Sequence, residues 1–242
     1  MRRLFLPRPR LEGDRATLEA SEVHYLRDVL RLAPGAVIEV FDGEGGAREG
    51  RLAAGADGGF LLALGPRRDA PPPAARVHLA FALARGDRPD LVVQKGTEVG
   101  VARLLPFEAE RSVVHLDRER GAERARRWQR IAAEAARQCG RADVPEVASP
   151  APLAQVLAES PPGFRMLLFF EGGGEPLTQA VDRSAEGHLV LVGPEGGFAP
   201  REVDAALAAG ARLTTLGPRT LRFETAAIVA AALVQHLAGD LG

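Results

Sequence analysis

Residues 189–197 read LVLVGPEGG, four apolar residues that stop abruptly at a Gly-Pro-Glu-Gly-Gly loop. So short a run of Leu and Val fits a strand buried on both faces, and the glycine-rich stop marks its carboxyl end. The same grammar recurs on either side. Upstream, RMLLFF (165–170) runs into EGGG (171–174); downstream, after a helix predicted to start near Pro200, RLTTL (212–216) runs into Gly217-Pro218. Strands alternating with helices make a mostly parallel α/β sheet, whose ligands sit beyond the carboxyl ends of the strands. The loops 171–174, 193–197 and 216–222 would there offer backbone N–H and C=O groups to an adenine edge, a ribose and a carboxylate. Any one of them could be an ordinary turn at a strand end. Three in succession favour a ligand site.

The alternation extends back to a predicted strand at 77–83, a helix at 88–99 and a strand at 104–107, then an amphipathic helix at 123–139. That helix places Trp128, Ile131, Ala135 and Cys139 on one face and arginines on the other. The last predicted helix, 224–237, is apolar nearly all round and requires cover from the fold or from a partner. Ahead of Pro71-Pro72-Pro73 the pattern changes. Short strands are expected at 2–6, 16–19, 36–41, 48–53 and 60–64, with a helix capped by Ser21 and a hairpin at Asp42-Gly43. Five short strands around one helix suggest a small β-barrel or curled sheet. The stiff stretch 65–75 is the expected boundary, giving domains 1–70 and 71–242.

Composition narrows the function. Of 242 residues, 46% are hydrophobic and 26% charged, the balance of a globular protein. A single cysteine, Cys139, leaves no disulfide framework or CxxC zinc site and suggests a reducing, cytoplasmic setting. The start, MRRLFLPRPR, does not read as a signal peptide. The longest apolar stretch, 226–234, is far short of the roughly 20 residues of a spanning helix, so no membrane partner is expected. Net charge is −1, yet residues 111–141 hold nine arginines against four acids. Such a cluster is either a solvated helix face or a surface that contacts RNA phosphates.

The familiar phosphate and hydrolase signatures are missing. There is no GxxxxGK[ST], no GxGxxG leaving a strand, no GxSxG and no HExxH. The histidines show no metal spacing, so no metal is expected. Lys95–Gly100 reads as a helix end closed by Gly100, with Glu98 a surface charge.

Five segments then carry a resemblance that spans nearly the whole chain in order: HYLRDVLRLAPG (24–35), KGTEVGV (95–101), RWQRIAAEAARQCGR (127–141), LVGPEGGFAPREVD (191–204) and LGPRTLRFETAAIVAA (216–231). Together they resemble the bacterial 16S rRNA uracil-N3 methyltransferases of the SPOUT superfamily. GPEGG followed about 20 residues later by LGPR-x-LR-x-ET is the specific part. The resemblance implies an N-terminal PUA-like β-barrel that binds RNA and a C-terminal α/β domain tied in a trefoil knot. It further implies S-adenosylmethionine (SAM) clasped by Phe170, Glu171, Gly172, Gly193, Pro194, Gly196, Leu216, Gly217, Leu221 and Arg222. A homodimer acting on 16S rRNA, free or in the assembled small subunit, completes the expectation.

Uracil N3 bears a weakly acidic proton, so methylation there needs proton removal as well as alignment. A carboxylate could take the proton, or an arginine could stabilise the uracilate; the candidates are Glu195, Arg222 and Glu224. Glu195 could instead hold a loop, and Glu224 could cap the last helix. A knotted methyltransferase acting on tRNA and an RNA-binding module without catalysis are the alternatives.

Overall fold

The computed structural model describes residues 2–55 and 59–241. By contacts the chain divides into two units, Met1–Pro71 with Ala136–Val144, and Pro72–Ala135 with Pro145–Gly242.

The first unit is built on strands β1 (Arg3–Phe5), β2 (Arg15–Thr17), β3 (Val37–Phe41), β4 (Gly46–Ala54) and β5 (Phe60–Asp69), in the order β1-β3-β4-β5-β2. Alternation along β3 buries Ile38 and Val40 against Leu4, Leu26, Leu52 and Leu62. Helix α1 (Ala20–His24) starts two residues earlier than a cap at Ser21 would place it. Glu19 takes the flanking position, its N–H donating to Glu22 Oε2 at 2.7 Å. Strand β5 also runs on through Gly65-Pro66, where a linker is expected. Proline lacks a donor, and the pairing with β4 is irregular there, shifting register between Arg48 and Gly50. The turn at Asp42-Gly43 is as expected, with buried Asp42 accepting from Glu44 N–H and Gly46 N–H at 2.8 Å each.

Residues 136–144 belong to this unit through two backbone carbonyls and through Arg137, one of the arginines read as either a solvated face or an RNA surface. Arg3 donates to the Ala136 and Arg141 carbonyls, and Arg137 lies 4.4 Å over the Tyr25 ring.

The second unit is an α/β sandwich. Its elements are β6 (Arg76–Ala82), α2 (Arg88–Glu98), β7 (Arg103–Glu108), α3 (Arg118–Cys139, its last turn in the first unit), β8 (Glu146–Val147), β9 (Ala151–Pro152), α4 (Leu153–Ala158) and β10 (Phe164–Phe169). β11 (Glu175–Pro176), α5 (Leu177–Ala180), β12 (Gly187–Val192), α6 (Pro200–Ala208), β13 (Arg212–Thr215) and α7 (Phe223–Ala238) follow. All sheet pairings are parallel, in the order β11-β13-β10-β12-β6-β7-β8 with β9 also on β7. Every residue of β12, the strand read first, is buried.

One face of the sheet carries Leu189, Leu191, Phe107 and Phe198 packed with α4 and α6. Phe81 faces the other way, meeting Trp128 of α3 at 6.0 Å and Phe223 of α7 at 6.4 Å between ring centroids. Trp128 is fully buried, and Ala125, Ala132 and Ala135 on its helix are buried too. Cys139, expected on that stripe, is exposed. Helix α3 begins five residues before its predicted start because Asp117 caps it, accepting from the Arg120 N–H at 2.9 Å.

Strand β13 lies between β10 and β11, which only residues 170–174 connect. That connection therefore straddles β13. Phe170 N–H donates to the Thr214 carbonyl at 2.9 Å, and a Cβ on Gly174 would lie 2.6 Å from the Leu213 carbonyl. Only glycine lets the two backbones cross so closely. The crossing is the central feature of the knot that the resemblance implies.

Two histidines of the sheet are held neutral. Burial, helped by Arg103 and Arg76, pushes His78 down to about 4, and its ring lies 4.7 Å from that of Phe164. Burial likewise lowers His188, whose Nε2 accepts from the Asp182 N–H at 3.2 Å. An unfolded chain protonates His78 near pH 6.5 while the folded one resists until about pH 4, so stability falls as pH drops through that window. His78→Gln should flatten this loss by on the order of 1–2 kcal/mol, solvent screening limiting the gain for a half-buried ring. Urea titrations of both proteins at pH 7.5 and 4.5 measure it.

Candidate functional site

The carboxyl ends of β10, β12 and β13 open into one cavity of about 170 Å³. Phe170, Glu171, Gly193, Pro194, Glu195, Leu216, Gly217 and Leu221 line it, so residues from all three predicted loops meet there. Gly172, Gly196, Arg222 and Glu224 lie outside the lining. A Cβ on Gly172 would strike the Phe170 ring, so that glycine lets the ring fold back. The Gly196 carbonyl accepts from Arg111 Nη1 at 3.0 Å. Arg222 is exposed in the N-cap position of α7. Glu224 follows in the first turn of that helix, between the lining residues Phe223 and Ala226.

Gly197, Pro218, Arg219 and Thr220 of the predicted loops line it too, and the wall beyond those loops, Phe169, Val192, Phe198, Thr215, Phe223 and Ala226, was not anticipated. Phe198 matters most. It stacks on Phe107 with ring centroids 6.1 Å apart, and an apolar residue straight after a polar loop was its only signal. Gly197 has φ +68°, and a Cβ there would run into the Glu171 carboxylate. The second loop thus nests against the first through glycine. The loop is braced from below by Glu202, which accepts from Ala199 N–H at 2.8 Å and Glu110 N–H at 2.9 Å.

Arg88, also unanticipated, pairs with Glu195 and holds its Nε 3.9 Å from Glu224 Oε2. It ties the first turn of α2 to the second loop and to the start of α7.

The cavity's chemistry is selective. Aromatic rings and glycine backbone suit the flat faces and edges of a nucleoside. Glu171, Glu195 and Arg219 are the charged groups of the lining, and Glu195 is already paired with Arg88, so the wall lacks the cluster of cations that would hold a polyphosphate. Gly100 ends the helix of Lys95 at φ +95°, as the plain reading has it, whereas Glu98, read as a surface charge, is partly buried and accepts from the one lysine, Lys95, at 2.8 Å. Among the described residues no cluster of His, Cys, Asp or Glu could hold a metal, and no helix is long and apolar enough to cross a membrane.

The arginine-rich region also divides on inspection. Arg127 is bound to Asp90, and Arg141 to Asp143 at 2.5 Å. Arg126 and Arg130 are exposed.

The chain was compared with known proteins. The RNA methyltransferase domain family matches residues 71–235, and the RNA methyltransferase PUA domain family matches 18–63. A ribosomal RNA small subunit methyltransferase E from Neisseria gonorrhoeae, solved bound to S-adenosyl methionine, superposes with a TM-score of 0.87 at 32% identity, covering 98% of each chain. A ribosomal RNA small subunit methyltransferase E from Mycobacterium bovis is 32% identical over 222 residues, 90% of this chain and 85% of the relative. That of Bacillus subtilis is 30% identical over 168 residues, 66% of each.

Gly193 has a use that ligand contact alone does not explain: a Cβ there would sit 2.9 Å from the Phe198 ring. Gly193→Ala should therefore destabilise the fold by about 1–3 kcal/mol through overpacking, rather than leave it intact while only ligand binding is lost. In a Phe198→Ala background the same change should cost almost nothing. A double-mutant cycle by chemical denaturation tests this, and equal costs in both backgrounds would remove Phe198 as the reason for the glycine.

Proposed function

The chain belongs to the ribosomal RNA small subunit methyltransferase E family, and on that premise we propose that it transfers the methyl group of SAM to N3 of a uridine in 16S rRNA. The observation that supports this most is the cavity at the ends of β10, β12 and β13, whose aromatic and glycine-rich wall suits a nucleoside and lacks the cluster of cations a polyphosphate needs. Bound SAM supplies an electrophilic methyl on a sulfonium. Phe170, Glu171, Gly193, Pro194, Leu216, Gly217 and Leu221 would hold it, with Gly172, Gly196 and Arg222 shaping or flanking those loops. Glu195, Arg222 and Glu224 are the groups available to manage the N3 proton. Most of the rate comes from aligning N3 with the methyl carbon, with proton removal adding to it.

The N-terminal domain, 1–70, and exposed arginines such as Arg126 and Arg130 would grip the RNA around the target, which must be unstacked to reach the cavity. Such an enzyme works in the cytoplasm, where ribosomal subunits are made.

A second copy of the chain completes the reading. Along α7, Thr225, Val229 and Leu233 share a face at helical spacing, with Leu233 40% exposed, and Leu91 of the adjoining α2 is 39% exposed. An apolar stripe left open on a helix pair fits a two-fold interface. Sedimentation should give roughly twice 25.7 kDa, and Leu233→Glu should shift it to the monomer.

The decisive experiment is methyl transfer from labelled SAM to free 16S rRNA and to small subunits from a strain lacking this protein. N3-methyluridine in the digested RNA, found by mass spectrometry, is the expected product. Label in another nucleoside, or in tRNA alone, would overturn the assignment.

A further inference from the structure

We propose that Arg88 is a positioning residue of the methyl-transfer step: it clamps Glu195 on the second loop and fixes the Glu224 carboxylate at the start of α7, where it takes the uridine N3 proton. The inference rests on the functional reading above and goes beyond it, because Arg88 belongs to no glycine loop.

The two carboxylates it meets are not equivalent. Glu195 is in direct contact with an Arg88 Nη1, so its charge is already used to fix the guanidinium. Glu224 is only 16% exposed, and its Oε2 is buried without a hydrogen bond, 3.9 Å from Arg88 Nε. That separation is too long for a hydrogen bond but within reach of a charge–charge attraction, which solvent screens in part because Arg88 is 41% exposed. Glu224 is thus held near a cation without hydrogen-bonding to it. The lone pairs of its Oε2 are not taken up by a hydrogen bond, whereas Glu195 is already committed to its pair. Arginine suits the task because its fork can serve two carboxylates and never gives up its charge.

The step balances as follows. The N3–H bond breaks and its proton goes to the Glu224 carboxylate. The N3 electron pair forms the bond to the methyl carbon, and the carbon–sulfur pair stays on sulfur, leaving N3-methyluridine and S-adenosylhomocysteine. Arg88 touches neither reacting atom; it acts through Glu195 and Glu224.

The test compares wild type, Arg88→Gln and Arg88→Lys on small subunits carrying uridine or 5-fluorouridine, whose N3 is the more acidic. Arg88→Gln should lower kcat about tenfold to a hundredfold, with KM for subunits and the Kd of SAM within about twofold. Arg88→Lys should recover most of the loss. With 5-fluorouridine the Arg88→Gln deficit should shrink to a few-fold, because an acidic N3 needs less help. A purely structural role would give the same deficit on both substrates and no rescue by Lys. That result, or a loss confined to KM, or no loss, overturns the proposal. If instead the wild type makes no N3-methyluridine, the parent reading has failed and the role of Arg88 falls with it.

Discussion

The candidate site depends on one crossing of backbone over backbone. Residues 170–174 pass across β13 to reach the far side of the strand, and Gly174 sits where a Cβ would lie 2.6 Å from the Leu213 carbonyl. With that crossing in place, Phe170 N–H is bound to Thr214 and the start of the first loop is fixed to the strand that feeds the third. The second loop then nests on the first, Gly197 against Glu171. Three loops from separate strands become one wall largely through backbone contact, with Arg88 and Arg111 fastening the second from outside. A cavity made this way is rich in backbone groups, which suits recognition of nucleoside edges.

The arginines show how charge is spent in a near-neutral chain. Much of the region read as a possible RNA face is engaged within the protein: Arg127 by Asp90, Arg141 by Asp143, Arg137 over Tyr25 and Arg111 by the Gly196 carbonyl. A local excess counted along the sequence therefore overstates the charge offered to a partner. Arg118, Arg120, Arg126 and Arg130 are exposed as well as Arg111 and Arg127, but Arg111, Arg120 and Arg127 already have partners within the protein. Weak exposed pairs contribute little to stability, so their value here lies in placing loops and helix ends.

What the sequence revealed and what it hid follow from range. Strands β10, β12 and β13 and helices α2, α6 and α7 were legible because each has a period or an apolar run ended by Gly or Pro. The two-residue strands β8, β9 and β11 have no period to detect and exist only because a neighbouring strand offers an edge. The extension of β5 through Gly65-Pro66 runs against local propensity and is carried by pairing with β4 on one side. In the site, glycines announced the three loops, but Phe198 and Arg88 carry no local mark. Arg88 meets Glu195 across 107 residues of chain, a pairing that no window of sequence contains.

That long-range pairing is precise because the first turn of α2 is itself immobilised. Pro89 is buried at the start of the helix, and Asp90 accepts from Trp128 Nε1 at 2.9 Å while also holding Arg127. Trp128 is in turn fully buried against Phe81, a central residue of the sheet. Arg88 is therefore mounted on a turn anchored to the same core that carries the loops it reaches. A flexible side chain becomes a reliable spacer between Glu195 and Glu224 when both its root and its targets are fixed to one rigid body. The buried tryptophan, two helices away from the cavity, thereby bears on the geometry of the charged groups at its rim.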